Sequence, residues 1–429
     1  MRWMKGLLRL LAPGAACLLM QLGPGQNAWA QEQPRGQSVA DREHPDYDPI
    51  GARLGAFTFY PYIAGSLLFD DNVFYTSSDR TTDLISTVNF GLRTRADGDN
   101  YTLRLDTGGD IVRYLETTSQ NYWQAHFSLD GRYDLDPGTA LFGQVESQRR
   151  AQPRDAVDAV NSLTPTIYYD TDAVIGFSRN SGLFNTTVTA AYQRIQYEDS
   201  EGANHTTIDN GPLNRNQWSI DGLVGYNYVG TQSAFVRFQG NVRDYPDSPN
   251  ADGFHQNSRG FALTFGGDFD FDGIITGRLE LGYQEQDYFE ESSVGAVRGP
   301  LVNLNVLWNV TPLTSITGTV NYNYEESISN NRGNNQGDSP GYRRAYVSVG
   351  IAHELRRNVL LFGRLDYANR QFINSSETDN IGAATIGARY LIDNGLVLDS
   401  RYQFRMQRGG GGGGDYVVNQ VFVQLRKTF

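Results

Sequence analysis

Histidine and its carboxylate neighbours are the residues of this sequence best suited to acid–base chemistry. Among the five histidines, only His126 falls in the middle of a predicted strand on its polar face, and Asp130 lies two positions further along that face. A His–Asp pair can orient a general base, but no local motif places a serine nucleophile beside it. The pattern favours a histidine in the wall of the protein, and we predict that the protein is not an enzyme.

Other motifs for catalysis or metal binding are missing from the sequence. It contains no Gly-x-Ser-x-Gly, His-Glu-x-x-His, Walker A or calcium-loop pattern. Its one cysteine, Cys17, excludes a disulfide framework and a cysteine-based zinc site. The acidic segment 244–252 is interpreted as a solvated loop, with weak cation binding as the alternative. We therefore predict no cofactor and no metal.

Composition narrows the class of protein. The chain has 429 residues, of which 39% are hydrophobic, 12% aromatic and 20% charged, with 47 Gly, 25 Tyr, 22 Phe and a formal net charge of −12. The many aromatic residues exclude a disordered chain. The negative charge argues against a nucleic-acid partner.

Residues 1–30 are predicted to be a signal peptide. Basic residues precede a short apolar run at 10–22, and Ala28-Trp29-Ala30 matches the small-x-small pattern at which such leaders are cleaved. The run is too short and interrupted for a membrane anchor. No later stretch is apolar enough for a membrane helix, so the mature chain is either a soluble exported protein or a membrane barrel.

Side chains alternate with a period of two from Phe57 onward, which predicts strands. In 123–135, for example, Trp123, Phe127 and Tyr133 share one face and His126 and Arg132 the other. Each run lasts about 12 to 15 residues, whereas ordinary strands have about five or six and a tilted transmembrane strand about 9 to 11. The length favours a transmembrane barrel over a propeller or a β-sandwich, the soluble alternatives.

The connections between these runs alternate between short and long, as in outer-membrane barrels. Tight turns are predicted at 96–99, 136–138, 180–182, 230–231, 272–273, 311–312, 356–358 and 393–395. Longer polar segments are predicted at 70–83, 151–164, 199–213, 246–258, 289–299, 327–340 and 409–414, with shorter ones around Thr117 and Ser375. These connections predict an all-β, up-and-down antiparallel barrel of about 18 strands with both termini on the periplasmic side. Pro61, inside the first strand, is expected to break a ladder bond or mark a bulge.

The last strand, DYVVNQVFVQLRKTF, alternates apolar residues and ends in Phe429. This ending resembles the signal recognised by the outer-membrane barrel assembly machinery. An aromatic residue is common third from the end in that signal, where this chain has Lys427. We take Phe429 as the candidate assembly signal.

The polar faces of the strands are expected to line a wet lumen, because charges facing lipid cost about 2 to 4 kcal/mol each at the midplane. An ion-pair lattice that stiffens the wall and a polar track for a hydrophilic solute are compatible interpretations. Tyr60, Tyr62, Tyr168, Tyr342 and Tyr346 fall on the same face. The candidate lumen residues are Arg93, Arg104, Asp106, Asp130, Arg132, Glu146, Asp170, Asp172, Arg237, Arg278, Glu280, Arg344, Arg364, Asp366, Arg401 and Arg405.

What fills so wide a barrel is left open by the sequence. The segment 31–55 is polar and too short for a globular plug, and the long loops 151–164, 199–213 and 327–340 are candidates to fold inward. We expect three parts: a signal peptide at 1–30, a periplasmic extension at 31–55 and a barrel at 56–429.

Residues 57–95, FTFYPYIAGSLLFDDNVFYTSSDRTTDLISTVNFGLRTR, resemble the opening hairpin of the putative beta-barrel porin 2 family. The features that carry the resemblance are the internal proline, the signature Asp71, Asn72, Val73 and Phe74, and a second strand after Asp83-Leu84-Ile85. The role of the signature is open; the conformational interpretation is that Asp-Asn favours a turn and Phe74 packs.

The resemblance implies an outer-membrane barrel of a Gram-negative bacterium that passes a secreted polysaccharide, acting with a periplasmic polysaccharide-export protein. A general diffusion porin for small solutes and a non-transport barrel, such as an adhesin or scaffold, are the alternatives.

Overall fold

A computed structural model describes residues 36–248, 255–289, 296–327, 341–409 and 414–429. The predicted signal peptide lies outside the described residues. Within them, one sheet contains 19 strands, of which Ala52–Leu54 is a short strand paired with the beginning of the next one; the other 18 form the barrel. We number these 18 strands in chain order: β1 Phe57–Asp70, β2 Asp83–Asp97, β3 Tyr101–Tyr114, β4 Tyr122–Asp136, β5 Thr139–Ala151, β6 Ile167–Asn180, β7 Phe184–Tyr197, β8 Arg215–Val229, β9 Gln232–Asp244, β10 Ser258–Phe271, β11 Ile275–Tyr288, β12 Val297–Thr311, β13 Thr314–Glu326, β14 Gly341–Arg356, β15 Val359–Phe372, β16 Thr378–Asp393, β17 Leu396–Gly409 and β18 Tyr416–Thr428.

The sheet closes on itself. Every strand from β2 to β17 pairs antiparallel with the strands before and after it, and β1 pairs with β18 from Tyr62↔Thr428 to Asp70↔Gln420. Closure removes the open edges of the sheet. The predicted barrel of 18 strands is therefore confirmed, and a propeller or sandwich does not describe this sheet.

The remaining regular elements are short. Two small strands form a hairpin in the loop after β7, and single-turn 3-10 helices lie in the N-terminal segment and in loops. Their bounds are Ser200–Glu201 and Thr207–Ile208 for the strands, and Val39–Asp41, Thr118–Gln120, Ala203–His205 and Gly211–Leu213 for the helices. Among the described residues, no helix is long and apolar enough to cross a bilayer.

The connections alternate as predicted, with tight turns at one end, which we call the turn end, and longer segments at the other, the loop end. In the turn end, Gly138, Gly230 and Gly395 have positive φ angles of 109°, 50° and 67°, which a residue without Cβ adopts at little cost. Register shifts accompany several of these turns, for example between Asn227 and Val229. At Pro61, however, the β1–β2 register runs through without a shift, so no bulge forms there.

The outer surface has the layering of a transmembrane barrel. Aliphatic side chains such as Ile175, Val224, Leu365 and Ile386 are more than half exposed in its middle. Exposed aromatic residues flank this band on both sides, with Trp123, Tyr169 and Trp218 toward the loop end and Tyr101, Tyr133, Phe184 and Trp308 toward the turn end. An apolar band between two aromatic girdles is the surface expected to face lipid.

Candidate functional site

The sequence-predicted lumen residues lie on the inward face of their strands. In each case they alternate with exposed apolar residues of the same strand, as Asp130 and Arg132 do with Leu129 and Tyr133. Their places are Arg93 on β2; Arg104 and Asp106 on β3; Asp130 and Arg132 on β4; Glu146 on β5; Asp170 and Asp172 on β6; Arg237 on β9; Arg278 and Glu280 on β11; Arg344 on β14; Arg364 and Asp366 on β15; and Arg401 and Arg405 on β17.

The most buried ion pairs line β8 to β11. Arg237 Nε lies 2.7 Å from Asp221 Oδ2, and both side chains are 1% exposed. Arg237 Nη1 is also 3.7 Å from Glu280 Oε2, and Arg278 lies 2.7 Å from Asp268 and 3.8 Å from Glu280. Two guanidinium groups and three carboxylates therefore interlock in this wall.

Other candidates pair in smaller groups. Arg364 Nε donates to Asp366 at 2.7 Å, Arg132 lies 2.6 Å from Asp134, and Arg344 is 3.5 Å from Glu325. Arg93 Nε lies 3.3 Å from Asp106 Oδ2. Six further candidates form no ion pair among the described residues: Arg104, Asp130, Glu146, Asp170, Asp172 and Arg401. The inner wall thus carries both ion-paired side chains and charged side chains without an ion pair among the described residues.

His126 pairs with a different carboxylate from the one suggested by spacing. Its Nε2 lies 3.2 Å from Asp106 Oδ1 and 3.4 Å from the Tyr62 hydroxyl, while Asp130 accepts from Ser128 at 3.1 Å. His126 and Asp130 therefore do not pair, because a neighbour across the ladder is closer than a residue four positions along the same strand. The described residues contain no cluster of three metal-ligating side chains.

Inward aromatic rings lie flat against the wall because glycines face them on the next strand. Tyr62 is in register with Gly91, and Gly91 with Gly108. A Cβ on Gly91 or Gly108 would approach the Tyr62 hydroxyl to 2.3 or 2.6 Å. The same arrangement recurs where Phe142 covers Gly176, Phe235 covers Gly266 and Phe362 covers Gly387. These glycines let the rings pack along the wall rather than project across the lumen.

The connection 152–166, which we call the crossing loop, folds into the barrel. It leaves the wall between β5 and β6, yet Asp155 pairs with Arg405 on the inner face of β17. Asp158 accepts a hydrogen bond from Ser327, just after β13, at 3.0 Å. Around the barrel, β17 lies six strands from β5 on one side, and β13 lies seven strands from β6 on the other. Because the loop contacts both, its tip reaches the middle of the lumen.

Neighbouring loops hold the crossing loop in place. Leu163 N donates to Glu201 O at 2.6 Å, which joins it to the hairpin in the loop 198–214. Arg154 donates to Gln120 at 2.6 Å and lies over the ring of Phe74 at 5.6 Å. Burial lowers the pKa of the Arg154 guanidinium. The second candidate loop, 199–213, therefore contacts the crossing loop. Residues 328–340 of the third candidate loop lie outside the described residues.

Toward the turn end the lumen is accessible to solvent. Arg104 on β3 and Asn305 and Thr317 on β12 and β13 point inward and are exposed, although they lie on opposite sides of the barrel. The lumen is therefore hydrated near the turn end and narrowed near the loop end.

The sequence matches the model of the family described as Putative beta-barrel porin 2 over residues 44–429. The chain belongs to this family. No curated protein matches it. Among solved structures, OpdK of Pseudomonas aeruginosa with vanillate has a TM-score of 0.50 at 10% identity, covering 86% of this chain and 99% of OpdK. The siderophore receptor PirA of Acinetobacter baumannii has a TM-score of 0.47 at 9% identity, with 86% and 80% covered. At 10% identity the likeness to OpdK shows the fold alone, that of a closed outer-membrane barrel.

In this porin-family barrel, the signature Asp71–Phe74 fastens the seam between the first and last strands. Asp71 accepts hydrogen bonds from the backbone N and side-chain Nδ2 of Asn419 at 2.7 and 2.6 Å. Asn72, fully buried, donates to Val417 O and Thr76 O and accepts from Thr76 N. Phe74 lies beneath Arg154, so the signature also contacts the crossing loop. Near the turn end, Phe429 N donates to Pro61 O at 2.9 Å.

The N-terminal residues 36–51 line the turn end of the porin barrel from inside, and residues 52–54 join its sheet. Val39, fully buried, donates its N–H to Ser315 Oγ at 2.8 Å. Gly395 N donates to Tyr47 O at 2.7 Å, and Gly51 lies against Tyr60. The segment follows the wall from β11 to β1 and forms no globular plug.

Two residues important to this lumen were missed by sequence reasoning. Asp221 alternates with the exposed Ile220 and Val224, so the period of two places it inward and would have found it. Asp155 carries no comparable signal, since its partner Arg405 is 250 positions away in sequence and nothing local indicates the contact.

Proposed function

We propose that this barrel is an outer-membrane conduit for the export of a polysaccharide in a Gram-negative bacterium. The long loops would face the exterior and both termini the periplasm. It would act passively and without a cofactor. Direction would come from a periplasmic export partner at the turn end, where the segment 36–55 lies.

The observation that carries this proposal is the neutral polar track on β12 and β13. Asn321 Nδ2 donates to Asn303 Oδ1 at 2.9 Å, and Thr319 donates to Asn305 at 3.1 Å. Amide and hydroxyl groups of this kind exchange hydrogen bonds readily with the hydroxyls of a sugar chain. The flat rings of Tyr62 and Phe362 offer apolar surface without closing the lumen.

A general diffusion porin is the second candidate, and the crossing loop is the observation that favours it. A fixed loop across the lumen admits only small solutes. For a polysaccharide to pass, the crossing loop must move away from Arg405 and Ser327. A barrel serving as an adhesin or scaffold would need no passage at all.

Deletion of the gene is expected to trap polysaccharide in the periplasm and remove it from the medium, with recovery on complementation. Both fractions are measured by a sugar assay. Unchanged secretion would refute the exporter and leave the diffusion porin or the scaffold. Steady conductance of the purified barrel in planar bilayers would then support the porin over the scaffold.

A further inference from the structure

Arginines on the outer face of the barrel gather near the loop end. Arg113 on β3, Arg149 on β5 and Arg194 on β7 share the outward face with the exposed Ile111, Val145 and Val188 of their strands. They lie one, two and three residues before the strand ends at Tyr114, Ala151 and Tyr197. Three positive charges therefore lie at the loop-end border of the apolar band, on alternate strands of the five from β3 to β7.

Two of these arginines are held on either side of Trp123, which is 49% exposed. The Arg149 guanidinium lies 4.0 Å from the centre of the Trp123 ring and donates to the Trp123 carbonyl. Arg113 donates to the carbonyls of Val112 and Tyr122 at 2.9 and 3.2 Å. Carbonyl acceptors, which carry no net charge, thus fix the two guanidinium groups in position.

Little negative charge opposes this surface. Glu198 lies 3.5 Å from Arg149 and also accepts from the Tyr169 hydroxyl at 2.9 Å. Arg194 is exposed and makes no ion pair within the part of the chain that the structure describes. Within the strands, one carboxylate adjoins three guanidinium groups if Glu198 is counted with them; the exposed Glu116 and Asp199 lie beyond the strand ends in the loops.

The opposite border of the same five strands differs. Near the turn end, their outward face carries Tyr101, Tyr133, Leu141 and Phe184, and Arg179 as its one charged residue among those described. The basic surface thus lies only at the loop-end border of the apolar band on these five strands. This placement indicates a lipid headgroup that is present in one leaflet of the membrane.

We propose that the arginine surface, formed by Arg113, Trp123, Arg149, Tyr169 and Arg194, binds the phosphorylated headgroup of the lipid in the outer leaflet of the outer membrane. Guanidinium groups bind phosphate through paired, charge-assisted hydrogen bonds, and Trp and Tyr favour the headgroup level. The assignment to the outer leaflet rests on the orientation given under the proposed function.

The test uses the full-length barrel, delipidated in detergent, with bisphosphorylated lipid A and the same lipid after dephosphorylation as probes. Native mass spectrometry measures retention. Arg113→Gln/Arg149→Gln/Arg194→Gln is expected to bind the bisphosphorylated lipid about tenfold or more weakly, given three lost charge-assisted contacts. Arg179, an exposed outward-facing arginine near the turn end of β6, provides the matched control. The Arg179→Gln variant should bind the lipid like wild type.

Wild-type retention by the triple variant, or equal retention of both lipids by wild type, would overturn the proposal. Heat-dependent gel migration verifies that the variants are folded. Ser78 is an exposed residue of the loop 71–82. Labelling of Ser78→Cys by an impermeant maleimide on intact cells is expected, and its failure would overturn the outer-leaflet assignment. Because lipid binding in detergent does not depend on what crosses the lumen, a negative export assay leaves this result interpretable.

Discussion

Shortening the crossing loop is expected to raise the single-channel conductance of the reconstituted barrel severalfold. Gln152 N donates to Thr166 O at 2.7 Å at the base of the loop, so replacing 153–165 by a short Gly-Ser linker keeps this stem. The replacement removes Asp155 and Asp158, whose contacts hold the loop across the lumen. The wider aqueous path should conduct more ions.

The matched control replaces 77–80, an exposed part of the loop 71–82, by Gly-Ser residues. Its conductance should equal that of wild type. If the two variants conducted alike, the crossing loop would not be the constriction of this barrel.

Substituting Arg237 is expected to lower the free energy of unfolding by about 3–5 kcal/mol, the cost of breaking a buried ion pair from one side. Arg237→Met leaves Asp221, 1% exposed, and Glu280, 3% exposed, without their shared guanidinium. Urea unfolding in detergent micelles, followed by tryptophan emission, measures the change.

Arg104→Met is the control, because Arg104 is inward-facing but exposed and forms no ion pair among the described residues. Its effect should remain below about 1 kcal/mol, as for solvated surface charges. Equal losses in both variants would show that the network around Arg237 does not stabilise the barrel. Adding Asp221→Asn and Glu280→Gln to Arg237→Met should recover part of the loss, since the uncompensated charges are then removed.

The barrel itself was predictable because each of its determinants is local. The alternation of side chains in 123–135 specifies the two faces of β4, and turn residues such as Asp393-Asn394-Gly395 mark the hairpins. The strand count followed from these two signals. The inward face of residues such as Arg93 and Asp366 followed from the same period.

The contents of the lumen were less predictable because they depend on contacts between distant parts of the chain. His126 meets Asp106 across the β3–β4 ladder rather than Asp130 along its own strand. The position of Asp155 depends on Arg405, twelve strands later in the chain. The seam contacts of Asp71 with Asn419 exist only once the barrel has closed, so the signature alone indicated a turn and gave no partner.

For a polysaccharide to pass through the lumen, the crossing loop must leave its place beside Arg405 and Ser327. The double variant Asp158→Cys/Ser327→Cys is designed to link the crossing loop to the end of β13 by a disulfide, because the oxygens of these two side chains are 3.0 Å apart. The sequence has one cysteine of its own, Cys17. The oxidising periplasm favours the disulfide. Each single cysteine variant serves as a control for the substitution itself.

The decisive measurement is the polysaccharide in the medium and in the periplasm of a deletion strain that carries this double variant, with and without reductant. We expect the disulfide to keep the polysaccharide in the periplasm and reductant to restore secretion, while both single variants secrete normally. Normal secretion with the disulfide shown to be formed would contradict passage of the polysaccharide through this lumen.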